Sequence, residues 1–450
     1  MSGRTLPDQP SLENLRKQAK ALQKAVRAGD PDAIARIEAS HPRGAAALGD
    51  GDGPALADAQ LVIAREHGLR SWPHLISHLA LAPQARRLHE IDLLFQGLPD
   101  VRDQALALRD VLEREVSALR AAHRGGSSAA ALVIRSTLRD VAAWRQGPSN
   151  ERTDAQILAS PLGLPDARQA IARWRGFADW AAVLEHGERT VDPQFEAACD
   201  AMVVGDADAL RALLARDPAL VRARSPFPHR AMLIHYLAAN GVENNRQWQS
   251  PRNAVEIAEL LLAAGADPDA TCTAYGERDT VLGLLVTSAH PAAAGVQADL
   301  VEVLCRAGVN PDGPDDDGGP LWLAIGSGYP AAAERLAACG ARVDNLVFAA
   351  AIGDLDRVRS YFDASGCLRP GRARSGERIG GRGPALDEQH MVEYALIFAA
   401  GAGRREVVEF LLTKQPDLAI TEPLWGSTAL GQARYHRRTD LVGLLERHGS

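Results

Sequence analysis

VEIAELLLAAGADPD, residues 255–269, reads as an amphipathic helix closed by a glycine turn. Ile257, Ala258, Leu261 and Leu262 recur at helical spacing and form one apolar stripe. Gly265 is placed to adopt the left-handed conformation just past the helix end. Asp267-Pro268-Asp269 is turn chemistry, with a carboxylate to hold nearby N–H groups and a proline to fix φ.

The signature recurs in ADLVEVLCRAGVNPD (298–312) and AAAERLAACGARVD (331–344). Their glycines, Gly265, Gly308 and Gly340, stand 43 and 32 residues apart. The second interval is close to the roughly 33-residue ankyrin period, and the first exceeds it by about ten. On these segments the chain resembles the ankyrin-repeat family. The resemblance implies stacked helix–turn–helix units with finger-like loops between neighbours.

Further segments extend it. The first unit is QFEAACDAMVVGDADALRALLARDPALV, without a finger signature. In AMLIHYLAANG (231–241), Ile234, His235, Ala238 and Gly241 match the family's T-P-L-H-x-A-A-x-x-G, while Met232 and Leu233 replace threonine and proline. That unit therefore lacks the usual capping hydroxyl and first-turn proline. The third unit keeps Thr280 but has Gly283 for histidine, and the fourth keeps Pro320, Leu321 and Ala324 with Trp322 for histidine. LVFAAAIGDLDRVRSYF and EYALIFAAGAGRREVVEFLL follow, and the last unit retains Thr428, Leu430 and Ala433. The expected fold is all-α: an ankyrin-repeat solenoid of about seven degenerate helix–turn–helix units over 194–450, with an N-terminal helical capping domain.

The N-terminal part carries its own repetition. DAQLVIAREHGLRSW (58–72) aligns without a gap to DARQAIARWRGFADW (166–180), matching Asp58/Asp166, Ile63/Ile171, Gly68/Gly176 and Trp72/Trp180. Each copy reads as a helix, a glycine stop and a short helix whose tryptophan packs back on the first. Similar segments accompany bacterial ankyrin-repeat proteins with a helical N-terminal region, which implies a solubilising cap for the array. The expected division is 1–84 as an N-terminal helical region, 85–160 as an inserted helical hairpin and linker, and 161–193 as the second copy. Within the insertion, 85–123 and 127–146 read as two helices, and 147–160 as linker.

Composition narrows the functional classes. The 450 residues carry a formal net charge of −7, so nothing draws the whole chain to nucleic acid or to an anionic membrane. Cys199, Cys272, Cys305, Cys339 and Cys367 show no CxxC spacing, which suits free thiols in a reducing compartment. Cys199 and Cys305 lie in apolar helical runs and read as core residues. No run approaches 18 apolar residues and the N-terminus lacks an apolar signal core, so a cytoplasmic protein is expected.

No catalytic motif stands out: there is no GxSxG, HExxH or GxxxxGK[ST], and no His/Cys cluster with metal spacing. No cofactor and no metal are expected. Three segments break the period and read as loops: GVENNRQWQSPRN (241–253), TSAHPAAAGVQ (287–297), and the arginine-rich DASGCLRPGRARSGERIGGRGP (363–384). The first two occupy equivalent places in adjacent units and should be neighbours. A finger, RARSPFPHRAM (222–232), adds charge before the second unit.

The expected function is a non-catalytic module that recognises a protein partner through its concave finger face. Its candidate binding residues are Arg224, His229, Arg230, His235, Tyr236, Asn240, Glu243, Asn244, Arg246, Trp248, Tyr275 and Trp322. The family resemblance gives the histidine at 235 a structural role, bonding backbone between repeats. The alternative is an enzyme or small-ligand sensor with a pocket between the second and third units' insertions, using His235, Glu243 and His290. It would take a small polar or anionic ligand. Neither reading involves a membrane or nucleic acid.

Overall fold

The computed structural model describes residues 11–48, 53–67, 69, 71–80, 94–95, 104–141, 144, 152–242, 247, 249–275, 278–369 and 386–449. These are mostly helical, with two short antiparallel strand pairs. The chain forms two compact units, 1–230 with 243–249 and 231–242 with 250–450.

In the first unit, Ser11 caps α1 (Leu12–Arg27) by accepting from the Asn14 N–H. The helix buries Leu15, Ala19, Leu22 and Val26, the three-and-four spacing of one face. Gly29, at φ +78°, turns the chain into α2 (Pro31–Ser40), which Asp30 caps. With α3 (Leu56–Glu66) and α4 (Trp72–Ala80) these helices enclose one small core, against which Trp72 packs half-buried.

A second core is built the same way. Here α5 (Leu108–Arg124) and α6 (Ser128–Thr137) pack on α8 (Leu164–Trp174), with the short α7 (Asp154–Ala159) before it and α9 (Trp180–His186) after it. A strand pair, β1 (Leu106–Ala107) with β2 (Thr190–Val191), joins its two ends in the register Leu106↔Val191 and Ala107↔Thr190. The helices are shorter than expected: among the described residues of 85–123 the long helix starts at Leu108, and that of 127–146 stops at Thr137. The expected linker contains α7, where Thr153 and Gln156 form a capping box.

The two cores repeat one another beyond the segment the sequence alignment showed. At a shift of 97 positions, buried Leu15, Ala19, Leu22, Ala33 and Ile37 fall on buried Leu112, Val116, Leu119, Ala130 and Ile134. Gly29 falls on Gly126, both at positive φ, and the cap Asp30 falls on the cap Ser127. At a shift of 108, buried Ala59, Ile63, Ala64 and Leu75 fall on buried Ala167, Ile171, Ala172 and Val183. Each four-helix core is therefore a complete copy, and α5–α6 stand to α8–α9 as α1–α2 stand to α3–α4. The unit continues with α10 (Pro193–Val204) and α11 (Ala207–Arg216), the first helix pair of the expected array, split by Gly205 at φ +76°.

The second unit stacks six more pairs. The first has a 3₁₀ turn, Leu233–Ala238, in place of an α-helix, followed by α12 (Ala254–Ala263). Met232 offers no capping oxygen, and its own N–H donates to His235 Nδ1 at 3.2 Å. Next come α13 (Val281–Val286), α14 (Ala289–Ala293) and α15 (Gln297–Arg306), then α16 (Gly319–Gly326) and α17 (Pro330–Ala338). The stack ends with α18 (Leu346–Ile352) and α19 (Leu355–Ser360), α20 (Met391–Ala402) and α21 (Arg405–Leu412), and α22 (Ala429–Tyr435) and α23 (Thr439–His448). The expected loop 287–297 is thus partly helical, through α14.

Where Thr280 and Thr428 survive they cap α13 and α22, accepting from Gly283 and Gly431 N–H. Gly265, Gly308 and Gly340 all take positive φ, as their turns require. Neighbouring repeats are tied by arginines. Arg404 Nε donates to the Ala351 carbonyl at 2.9 Å, and Arg438 Nε to the Gly401 carbonyl at 3.1 Å. Each satisfies an orphan carbonyl at the end of the preceding repeat's first helix, where a cation is also favoured by the helix dipole.

Candidate functional site

The first helices α13 and α16 and the fingers beside them enclose a cleft of about 620 Å³ within the second unit. One wall is the hairpin of β3 (Thr271–Cys272) and β4 (Asp279–Thr280), in the register Thr271↔Thr280. Its two arms are joined, because the Tyr275 N–H donates to Asp279 Oδ2 at 2.9 Å. Asn240 then ties Tyr275 to α13. Its Nδ2 donates to the Leu284 carbonyl at 3.0 Å and to Thr287 Oγ1 at 2.8 Å, while its Oδ1 accepts from the Tyr275 hydroxyl. Burial of that hydroxyl, with Asp279 nearby, raises the Tyr275 pKa. The ring lies against Gly241, where a Cβ would stand 2.9 Å from Tyr275 Cε2, so only glycine fits.

The opposite wall is the turn 310–318. Asn310 braces it by accepting from the Asp312 N–H at 3.0 Å and donating to the Gly313 carbonyl at 3.0 Å. Asp312 is buried and accepts from the Arg342 N–H at 2.8 Å, with the Arg342 guanidinium paired to it. The turn is thereby pinned from below, and Asp315 and Asp317 are left exposed at the cleft. Trp322 forms the floor: it is 3% exposed and packs edge-on against Phe398 at 5.3 Å.

A third element reaches in from the finger before the last pair. Glu422 is fully buried, and its carboxylate accepts from the N–H groups of Leu424 (2.6 Å), Trp425 (2.9 Å) and Ser427 (3.1 Å). That turn throws Leu424 and Trp425 onto α16. Leu424 Cδ1 would lie 3.0 Å from a Cβ at Gly326, and the Trp425 indole N–H donates to the Gly326 carbonyl at 2.8 Å. Two of the large apolar side chains left exposed, Tyr275 (64%) and Leu323 (42%), line this cleft together with Leu424, the chain neighbour of exposed Trp425 (68%). Large apolar side chains left exposed beside polar groups are the kind of surface that interaction sites use.

The residues expected from sequence are distributed differently. Tyr275, Asn240 and the Trp322 edge line this cleft. Tyr236 is core, 1% exposed. His235 is fully buried with both ring nitrogens on backbone, Nδ1 to Met232 N at 3.2 Å and Nε2 to the Ala270 carbonyl at 3.1 Å. It holds the second pair to the following finger, and neither nitrogen is left for proton transfer. His290 is half-buried on α14, and burial lowers its pKa. Glu243, Asn244, Arg246 and Trp248 lie outside the described residues.

Arg224, His229 and Arg230 belong to the first unit and brace their own turn. Arg224 Nη1 donates to the Arg230 carbonyl at 2.9 Å, and Arg230 Nη1 to the Ser225 carbonyl at 2.8 Å. Burial, then the charges of Arg189 and Arg224, lower the Arg230 pKa. The His229 ring stacks on Phe227 with centroids 6.2 Å apart. Among the described residues no group of three His, Cys, Asp or Glu side chains suits a metal ion, and no helix is long and apolar enough to cross a membrane.

Sequence reading missed Asp279, Asp315, Asp317, Leu323, Leu424 and Trp425. The usable signal was TEPLWGST (421–428), a tryptophan in a finger where the repeat pattern requires none.

No protein-family model matches the chain, and no curated protein does. Among solved structures, the chain is similar to the crystal structure of the human ASB11 ankyrin repeat domain, with a TM-score of 0.29 and 20% identity. The match covers 54% of this chain and 92% of that one.

Proposed function

We propose that this chain is a non-catalytic binding module that recognises a protein partner through the cleft between α13, α16 and their fingers. The supporting observation is that Tyr275 and Leu323, exposed and large, line one cleft with Leu424 on a scaffold braced by buried Asp312 and Glu422. Aromatic side chains held rigidly lose little entropy on binding, which favours them as anchors. The engagement of both His235 nitrogens with backbone weighs against the enzyme reading. The compartment proposed is the cytoplasm, in keeping with five free thiols.

The test is photocrosslinking in cells of the native host, with a benzophenone side chain replacing Leu323 and, as control, exposed Leu184 of the first unit. A discrete protein adduct from position 323 alone supports the reading. Adducts from 184 alone, or none from 323, reject it.

A further inference from the structure

The apolar side chains give this cleft area, and its charges restrict what can lie there. Asp279, Asp315 and Asp317 line it against one guanidinium, Arg278. Asp315 has no hydrogen bond or ion pair among the described residues. Asp317 uses Oδ1 for the Gly319 N–H at 2.8 Å, and Asp279 uses Oδ2 for the Tyr275 N–H at 2.9 Å, so each retains a second oxygen. A carboxylate-rimmed apolar groove favours a cationic side chain and repels an anionic one, and the low dielectric of its walls strengthens both effects. The carboxylates come from the two finger turns, whereas Leu323 and Leu424 come from α16 and the Glu422 turn. Charge thus sits on the fingers, with the Tyr275 ring beside Asp279, and aliphatic surface on α16 and the Glu422 turn.

We infer that the occupant is a segment of the partner protein carrying a lysine or arginine beside a leucine-sized or aromatic side chain. The cation sits between the Asp279 and Asp315–Asp317 turns, and its apolar neighbour lies on Leu323 and Leu424. This rests on the binding-module reading above and adds the chemistry of the partner.

The experiment is selection of a random dodecapeptide phage library on the immobilised full-length chain, followed by affinity measurement with the enriched synthetic peptides. The expected result is a consensus with Arg or Lys next to Leu, Phe or Trp. Affinity should fall at least tenfold in the Asp315→Asn/Asp317→Asn double variant, which keeps the amide oxygen for the Gly319 N–H. It should fall further as salt rises. Peptides that depend on Leu323 but are uncharged or acidic, or that bind the double variant equally well, overturn the charge assignment and leave the cleft standing. Peptides indifferent to Leu323→Asp, or no enrichment, overturn both.

Discussion

The indole N–H of Trp425 donates to the carbonyl of Gly326 at 2.8 Å, joining a finger to a helix end 99 residues earlier. The bond satisfies a helix-terminal carbonyl and leaves most of the indole face in solvent. Trp425→Phe removes the donor and keeps the ring. It should destabilise the second unit by only about 1 kcal/mol, the net worth of one hydrogen bond, read from the urea midpoint. A loss several times larger would show that the indole carries core packing.

Glu422 is the more exacting position, because one buried carboxylate serves three N–H groups. Glu422→Ala leaves all three without that acceptor and should lower stability by roughly 2–4 kcal/mol. Glu422→Gln, which keeps one acceptor oxygen, should fall in between. Equal urea midpoints for the three proteins would contradict this account of the turn.

Glu115 and Arg175 form a buried bidentate pair that ties α5 to α8, with Arg175 also over the Phe95 and Phe227 rings. The first copy places Gln18 and His67 at the corresponding positions, so the four-helix shape does not depend on the pair. Arg175→Met alone strands a buried carboxylate and should cost about 3–5 kcal/mol. The double variant Glu115→Leu/Arg175→Met should recover most of that loss. Additive losses in the double-mutant cycle would refute the compensation.

Cys305 and Cys339 are neighbours whose thiols hydrogen-bond; burial first, and then that contact, push Cys305 up to about 12. At pH 8 its thiolate fraction is then roughly one in ten thousand, and the thiolate is the form that reacts. Iodoacetamide at pH 8 should label exposed Cys367 well before Cys305. The Cys305 rate should climb about tenfold per pH unit until its pKa is reached. Peptide mass mapping reads both; prompt labelling of Cys305 at pH 8 would contradict the raised pKa.

The helix-and-glycine signature at 255–269 was legible because period, stop and turn residue are all local, and Gly265, Gly308 and Gly340 adopt the required φ. The duplicated tryptophan element was legible for the same reason. Its first half was not, since Leu15 and Leu112 share burial but almost no flanking identity. His235 bonds backbone through both ring nitrogens, the role the family resemblance implied, although it also stood among the candidate binding residues. The cleft did not emerge, because it joins residues from 240 to 424 whose proximity depends on how the repeats stack. Arg224 and Arg230 looked like surface anchors by residue type, yet they brace their own turn with backbone bonds that no local pattern encodes.

The most direct test of the central claim is the affinity of the partner captured at position 323 for the parent chain and for Leu323→Asp/Tyr275→Ala. Both proteins should first be matched in helical circular dichroism. Removing an anchor that costs about 2 kcal/mol weakens binding roughly thirtyfold, and two such anchors should exceed that. A loss of thirtyfold or more with stability within about 1.5 kcal/mol of the parent is the predicted result. An unchanged dissociation constant in the double variant would contradict the claim that this cleft is where the chain binds.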